Sequence, residues 1–309
     1  MAEKIDVTFL GTGSAVPTSR RNHPAVLLKY KNENILMDCG EGTQRQFRKA
    51  KLNPCKITRI LISHWHGDHV LGLPGLLQTM MLNGYNKTLK IYGPSGTRRK
   101  MRLYLDLFAH KGEKLSLEVH EVREGVFIDE KEFFVEALSM DHDSPANAYS
   151  FVVKEQNRID KKKLAKLKLP NSPLIGELTK GKTVKIGDKK IDGKKLRYVE
   201  PSRKISFVMD TRMTPNAIKI SKNAELLICE TTYSKEEKEI AFEHAHLTSV
   251  DSAAIAKKAK VKKLALMHLS QRYEAIPKVI LGEVKKAIGG SGKGGIEVSI
   301  PEDLDKMEL

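Results

Sequence analysis

An α/β fold is predicted by three observations. Short runs of β-branched and aliphatic residues alternate with helix-period patterns along the whole chain. Gly, Pro and Asn punctuate them at short intervals, and no internal repeat interrupts the alternation. The 309 residues accommodate one large domain or two ordinary ones, and we read residues 1–309 as a single domain with an insertion. Hydrophobic residues at 40 % and charged residues at 30 % suffice for a sizeable core and exclude a wholly disordered chain.

The first predicted strand is Ile5–Leu10, ended by the turn Gly11-Thr12-Gly13-Ser14. Ala25–Tyr30 and Asn34–Met37 pair as a hairpin around the polar Lys31–Glu33. Gly42–Ala50 reads as a basic helix and Ile57–Ile62 as a buried strand. Leu73, Leu76, Leu77, Met80 and Met81 then recur at helical spacing. Further strands are predicted at Leu89–Tyr92, Phe133–Leu138, Tyr149–Val153, Ile205–Met209, Leu226–Cys229 and Lys263–Met267. The Ala-rich Ser249–Lys260 is helical, and Gly289–Gly295 connects to a last strand at Ile296–Ile300. His23, His110 and His120 have no evident partners and are assigned to the surface or to loops.

Charge is distributed unevenly. Lys and Arg number 54 against 38 Asp and Glu, a net of +16 with an isoelectric point near 9.6. Such a surplus points to a polyanionic partner, nucleic acid or an acidic membrane face. Residues 154–204 hold 17 Lys+Arg and 6 Asp+Glu, so a net of +11 falls in one stretch whose only aromatic residue is Tyr198. Its apolar content is too thin to suggest a core of its own. It is predicted to be an inserted basic arm, bounded at 154–197, with a short helix at Lys161–Leu169 and a Pro/Gly hinge at Pro170–Lys182. A solvated loop is the plainer interpretation, but the rest of the chain carries only the remaining +5.

Cys39, Cys55 and Cys229 are scattered and form no C-x-x-C pair, which excludes a disulfide framework and argues against a cysteine zinc site. Residues Met1–Leu10 show no targeting pattern, and the uncharged stretch Val70–Tyr85 is too short and too rich in Gly and Pro to span a bilayer. A cytoplasmic protein with no membrane association is expected.

The densest chemical signal is Ser63-His64-Trp65-His66-Gly67-Asp68-His69, directly after a predicted strand. Side chains two residues apart on an extended backbone share a face, so His64 and His66 can converge. Asp68 and His69, beyond the Gly67 bend, can serve a second position beside the first. Imidazoles and a carboxylate suit Zn²⁺. Gly11-x-Gly13 is not a dinucleotide loop, because Val16 occupies the third glycine position.

This H-x-H-x-D-H pattern resembles the metallo-β-lactamase superfamily. Four further stretches narrow the resemblance to the ribonuclease Z family: Gly11 through Asn22, Asp210-Thr211-Arg212, Glu230-Thr231-Thr232-Tyr233 ahead of His246-Leu247-Thr248-Ser249, and Leu266 through Tyr273. Met209 and Cys229 depart from residues common at those places but are not ligand positions. The resemblance implies an αβ/βα four-layer sandwich and a catalytic domain that removes the 3′ trailer from precursor tRNA. It implies two Zn²⁺ per subunit, with Mn²⁺ as an alternative. His64, His66 and His142 would hold one, Asp68, His69 and His268 the other, and Asp210 would bridge. Asp68 would accept a proton from the nucleophile, and His246, oriented by Glu230, would protonate the leaving 3′-oxygen. Lys161, Lys162, Lys163, Lys166, Lys168, Lys180 and Lys182 of the arm would contact RNA, and a homodimer is implied. A small-molecule hydrolase or cyclic phosphodiesterase would use the same ligands but has no use for the arm. A non-catalytic RNA-binding protein would be expected to have lost ligands.

Overall fold

The computed structural model describes residues 3–108, 115–166, 173–186, 189–290 and 295–309. Alternating apolar residues build two seven-stranded sheets. The first contains β1 (Ile5–Gly11), β2 (Ala25–Tyr30), β3 (Glu33–Met37), β4 (Arg59–Leu61), β5 (Leu89–Gly93) and β6 (Leu117–Glu121), with β18 (Lys306–Glu308) antiparallel to β1 on the outer edge. The second contains β7 (Gly125–Asp129), β8 (Phe133–Ser139), β9 (Asn147–Val153), β14 (Arg203–Val208), β15 (Leu226–Glu230), β16 (Lys263–Met267) and β17 (Glu297–Ser299).

One core lies between the sheets. Ile5, Val7 and Phe9 of β1 meet Tyr149, Phe151, Phe207 and Ile228 of the second sheet there. Burying each such side chain contributes about 1.5–3 kcal/mol. The opposite faces are covered by helices. Phe47 of α1 (Thr43–Lys49), Leu73, Leu76 and Met80 of α3 (Leu73–Leu82) and Met101 of α4 (Thr97–Phe108) pack on the first sheet. Ala217 and Ile220 of α7 (Pro215–Ser221), Ala253 and Ile255 of α9 (Ser249–Ala259), and Ile280 and Val284 of α10 (Pro277–Ile288) pack on the second. The layers are helix, sheet, sheet, helix, as expected for the four-layer sandwich. No described helix is long and apolar enough to cross a membrane.

Strand direction places the chemistry. β14, β15 and β16 are mutually parallel, and β8 runs the same way as β14 because each is antiparallel to β9. Their carboxyl ends therefore open on one edge, where Glu230 ends β15 and His142, Asp210 and His268 follow β8, β14 and β16. β4 delivers residues 63–69 through the short α2 (Gly67–Val70).

Several expectations are corrected. The strand foreseen at Ile57–Ile62 narrows to Arg59–Leu61, because Pro54–Lys56 forms a 3₁₀ turn capped by Asn53, whose side chain accepts from Cys55 N. Ile296–Ile300 narrows to Glu297–Ser299 and is not the last strand, since β18 follows. In the arm, β10 (Gln156–Ile159) and β13 (Arg197–Glu200) form one antiparallel ribbon, β11 (Thr183–Ile186) and β12 (Lys189–Asp192) another. The basic helix is present as α5 (Lys161–Lys166), whereas the foreseen hinge contains a helix, α6 (Pro173–Thr179). The arm does build a small core: Leu178, Val184 and Leu196 are buried, with Ile159, Leu164 and Ile191 against them. Each of these apolar residues stands between polar or charged neighbours or beside alanine, far from the others in sequence, which hid the cluster. His23 lies in a loop, as foreseen, but is buried there, its Nε2 3.2 Å from Ala15 O. His120 stacks on Tyr92 within β6, and His110 lies outside the described residues.

Candidate metal centre

Seven ligand-type side chains converge at the strand ends. His64, His66, His142 and Asp210 form one group whose ligand atoms all lie within 4.8 Å of one another, and Asp68, His69, Asp210 and His268 form a second. Asp210 belongs to both. Its Oδ2 is 3.5 Å from His64 Nε2 and 3.4 Å from His69 Nε2, while Oδ1 is 3.3 Å from His268 Nε2. Asp68 Oδ2 lies 3.2 Å from His69 Nε2 and 3.3 Å from His268 Nε2. His66 Nδ1 and His142 Nε2 are 3.2 Å apart.

The loops that hold these groups are unusually shaped. Asp210 and His268 have φ of 27° and 60°, in the left-handed region that non-glycine residues rarely adopt. His268 N donates to Thr12 O at 3.0 Å, tying the last ligand to the glycine-rich turn at the chain's start. Gly40 passes so close to Asp68 that a Cβ there would sit 2.3 Å from the Asp68 carbonyl oxygen.

The donor set fits divalent cations. His64 Nε2, His69 Nε2 and Asp210 Oδ1 are buried without a hydrogen-bond partner, an arrangement that costs free energy unless a ligand satisfies it. Burial, reinforced by His69, pushes His64 well below its ordinary pKa, and burial likewise lowers His142, so both offer neutral lone pairs. Burial alone would raise Asp68 and Asp210. The surrounding imidazoles, His69 for Asp68 and His268 for Asp210 foremost, hold both well below the usual carboxylate range. His69 shows the converse: burial disfavours its charge, but Asp210, Asp38 and Asp68 outweigh that and raise it. The pocket thus demands positive charge at its centre. Fold and side-chain clusters together indicate a divalent-metal site.

Beside the clusters, His246 Nδ1 is 3.2 Å from Glu230 Oε1 and 4.0 Å from Asp210 Oδ2. Burial opposes its protonation, yet Glu230 and Asp210 prevail and raise its pKa to about 9. Glu230 is held in turn by Thr211 N at 2.8 Å and Thr232 Oγ1 at 2.7 Å. Thr248, two residues past His246, caps α9 in a reciprocal box with Asp251, which fixes where that loop ends. His244, the competing histidine, is not in these groups.

Sequence reasoning missed the residues that orient the ligands. Asp38 is fully buried, 2.7 Å from His69 Nδ1, and accepts from Ser63 N and Oγ at 2.7 and 2.8 Å. Thr232 Oγ1 is 2.9 Å from His268 Nδ1, and Ala245 O is 3.2 Å from His142 Nδ1. An acid directly after an apolar strand, as in Met37-Asp38, is the one signal that could have exposed Asp38.

The arm lysines divide into three groups. Lys161, Lys162, Lys163 and Lys166 are exposed on α5. Lys180 and Lys182 both pair with Glu177, at 2.9 and 2.5 Å, and hold that carboxyl down to about 2. Lys168 lies outside the described residues.

Comparison with known proteins bears on this geometry. Residues 5–160, just over half the chain, match the family model described as anti-Pycsar protein Apyc1, which stops short of Asp210, Glu230, His246 and His268. A ribonuclease Z of Natronomonas pharaonis is 35 % identical over 307 residues, covering 98 % of this chain and 97 % of that one. The crystal structure of human tRNase Z, short form, superposes with a TM-score of 0.69 at 29 % identity, covering 98 % of both chains. The metallo-β-lactamase fold protein YhfI of Bacillus subtilis covers 100 % of both chains with a TM-score of 0.71 at 17 % identity, a likeness of fold. The chain therefore belongs to the ribonuclease Z family, built on the metallo-β-lactamase fold, and through residues 5–160 to the family of the anti-Pycsar Apyc1 model as well.

Proposed function

We propose that the chain is a zinc-dependent endoribonuclease that hydrolyses one phosphodiester of precursor tRNA, leaving a 3′-hydroxyl on the tRNA and a 5′-phosphate on the trailer. The observation that carries this reading is that two groups of ligand-type side chains share Asp210, with His246 paired to Glu230 at 3.2 Å beside them. His64, His66 and His142 would hold one Zn²⁺ or Mn²⁺, Asp68, His69 and His268 a second, with Asp210 shared. Metals held there would supply Lewis-acid polarisation of a phosphoryl oxygen and a water of lowered pKa.

The remaining work falls to side chains of this chain. Asp68, kept ionised, accepts a proton from the attacking water. As the bond from phosphorus to the ribose 3′-oxygen breaks, that oxygen takes up negative charge and needs a proton. His246, raised to about 9, carries one at neutral pH, and Glu230 keeps Nδ1 occupied so that Nε2 can donate. The +11 arm suits the phosphates of a folded RNA, with Lys161, Lys162, Lys163, Lys166, Lys168, Lys180 and Lys182 as candidate contacts. We carry over a homodimer from the family resemblance alone. Three free cysteines support a reducing, cytoplasmic compartment.

A second reading, a small-molecule hydrolase or cyclic phosphodiesterase, would use the same ligand-type groups but leaves the +11 arm without a role. Incubation with a precursor tRNA, followed by mapping of both product ends, separates the two. A single cut at the 3′ end of the tRNA body with the stated termini supports the endonuclease. Cleavage of cyclic nucleotides with the precursor left intact supports the alternative.

A further inference from the structure

Phe242, in the last turn of α8 (Lys238–Glu243), leaves 68 % of its surface exposed. The guanidinium of Arg212 lies over the ring, its Cζ 4.9 Å from the centroid. Arg212 is itself fixed: Nε donates to Phe242 O at 2.9 Å, Nη1 is 3.3 Å from Asp141 Oδ1, and the backbone N donates to Asp141 O at 2.8 Å. The result is a rigid plate, part ring and part guanidinium, with aromatic surface open to solvent. Arg272 over Tyr233 differs, because Tyr233 is buried and offers no free face.

The plate is assembled from the segments that carry the site. Asp141 precedes His142, Arg212 follows Asp210 by two residues, and Phe242 lies four residues before His246, which stands just past the end of α8. The backbone joins them directly, with His246 N donating to Ala241 O at 2.8 Å and Ala245 O 3.2 Å from His142 Nδ1. Phe242 and His246 are thus tied to one another through the short segment Ala241–His246.

We propose that Phe242, backed by Arg212, is a stacking platform for the base of the unpaired nucleotide whose 3′-oxygen leaves, and so helps to set where the cut falls. This rests on the endoribonuclease reading. Unpaired bases are held on aromatic rings and guanidinium planes, whichever base is present, because each has a π-face. His246 is the proposed proton donor to that 3′-oxygen, and only the ribose separates this oxygen from its own base. The plate, four residues before His246, is thus the surface that base meets.

The test compares Phe242→Ala, Phe242→Leu and Phe242→Trp with the unaltered protein. The precursor tRNA carries the fluorescent base 2-aminopurine at the last nucleotide before the cut. Stacking is worth about 5- to 150-fold per base, so kcat/KM on the precursor should fall by that factor in the Ala and Leu variants and stay near its starting value in Trp. Binding in the presence of a chelator should quench 2-aminopurine with the unaltered protein and Phe242→Trp, but not with Ala or Leu. Hydrolysis of bis(p-nitrophenyl) phosphate and the melting temperature should not change. Equal precursor cleavage and equal quenching in Phe242→Ala and the unaltered protein would overturn the platform and leave the endonuclease standing. Loss of diester hydrolysis alongside would make Phe242 a structural support and also overturn it. If the unaltered protein leaves the precursor uncut, the underlying reading falls and takes the platform with it.

Discussion

Replacing Asp38 by Asn should weaken divalent-metal binding about 10- to 100-fold without removing a ligand, the usual effect of losing a partner that orients a metal-binding histidine. The Asp38 carboxylate is fully buried and meets three groups: Ser63 N at 2.7 Å, Ser63 Oγ at 2.8 Å and His69 Nδ1 at 2.7 Å. Accepting from Nδ1–H fixes Nε2 as the nitrogen aimed at Asp68 and Asp210, the one free to bind a cation. Asparagine has one acceptor oxygen, so its NH₂ must face either Ser63 or His69. If it faces His69, the ring has to accept at Nδ1 and carry its proton on Nε2, where the cation belongs. If it faces Ser63, the backbone N–H there is left buried and unpaired at a cost of about 1–3 kcal/mol. Asparagine tolerates the left-handed backbone that Asp38 adopts at φ 57°, so the loop itself should persist. Competition for Zn²⁺ with a chromophoric chelator measures the effect, and calorimetry separates it from unfolding. Only the group containing His69 should weaken, making the titration biphasic. An unchanged, single-phase titration would refute the orienting role of Asp38.

Asp210→Ala should deplete both metal positions, whereas His64→Ala should leave the second largely filled. Atomic emission reads this directly, and full occupancy in Asp210→Ala would remove the bridging assignment. His246→Ala should slow RNA cleavage by about 10²–10⁴-fold while sparing a p-nitrophenyl diester, whose leaving group needs no proton; equal losses on both would exclude the donor role. Since His246 must be protonated to donate and is raised to about 9, RNA cleavage should decline as pH rises through that value, or below it where bound cations offset the pull of Asp210. The p-nitrophenyl diester should show no such limb. Replacing residues 158–197 by a Gly/Ser linker should flatten the salt dependence of precursor binding, which runs at roughly −0.7 to −0.9 in log–log slope per phosphate contacted. Diester hydrolysis should survive; an unchanged salt slope would return the arm to a solvated loop.

What could be read from the sequence follows from where the information lies. The candidate ligands were legible through the H-x-H-x-D-H spacing and through the family resemblance, which calls for His or Asp after an apolar run, as in Leu264–Met267 before His268. The layer architecture was legible through the same runs and through the family resemblance. Elements that touch the core with few residues were not. α4 buries only Thr97 and Met101 and begins as a run of basic residues, and β6 is half-exposed throughout. β18, Lys-Met-Glu, has no strand pattern at all and exists because β1 offers it a free edge. Asp38, Ser63 and Thr232 belong to residue types common in turns, and their role arises only when three separate strands end together.

The same distinction explains why the site holds its geometry. Of the described non-glycine residues with positive φ, Asp38, Asp210, Ala245 and His268 all stand at the centre, at 57°, 27°, 55° and 60°. Such conformations cost about 1–3 kcal/mol each and persist only where the surroundings over-determine them. Here they do. His268 N is held by Thr12 O, and Asp210 is followed by Thr211, whose N is taken by Glu230, and by Arg212, whose N is taken by Asp141 O. Ala245 presents its carbonyl to His142, and Asp38 is closed in by Ser63 and His69. Each constraint comes from a different strand end, so no single segment could adopt the arrangement by itself. The H-x-H-x-D-H motif supplies four of the candidate ligands, but the aim of those side chains is set by the sheet that brings the other strand ends beside it. A substitution that loosens one such tie should therefore act on metal affinity and alignment before it acts on global stability.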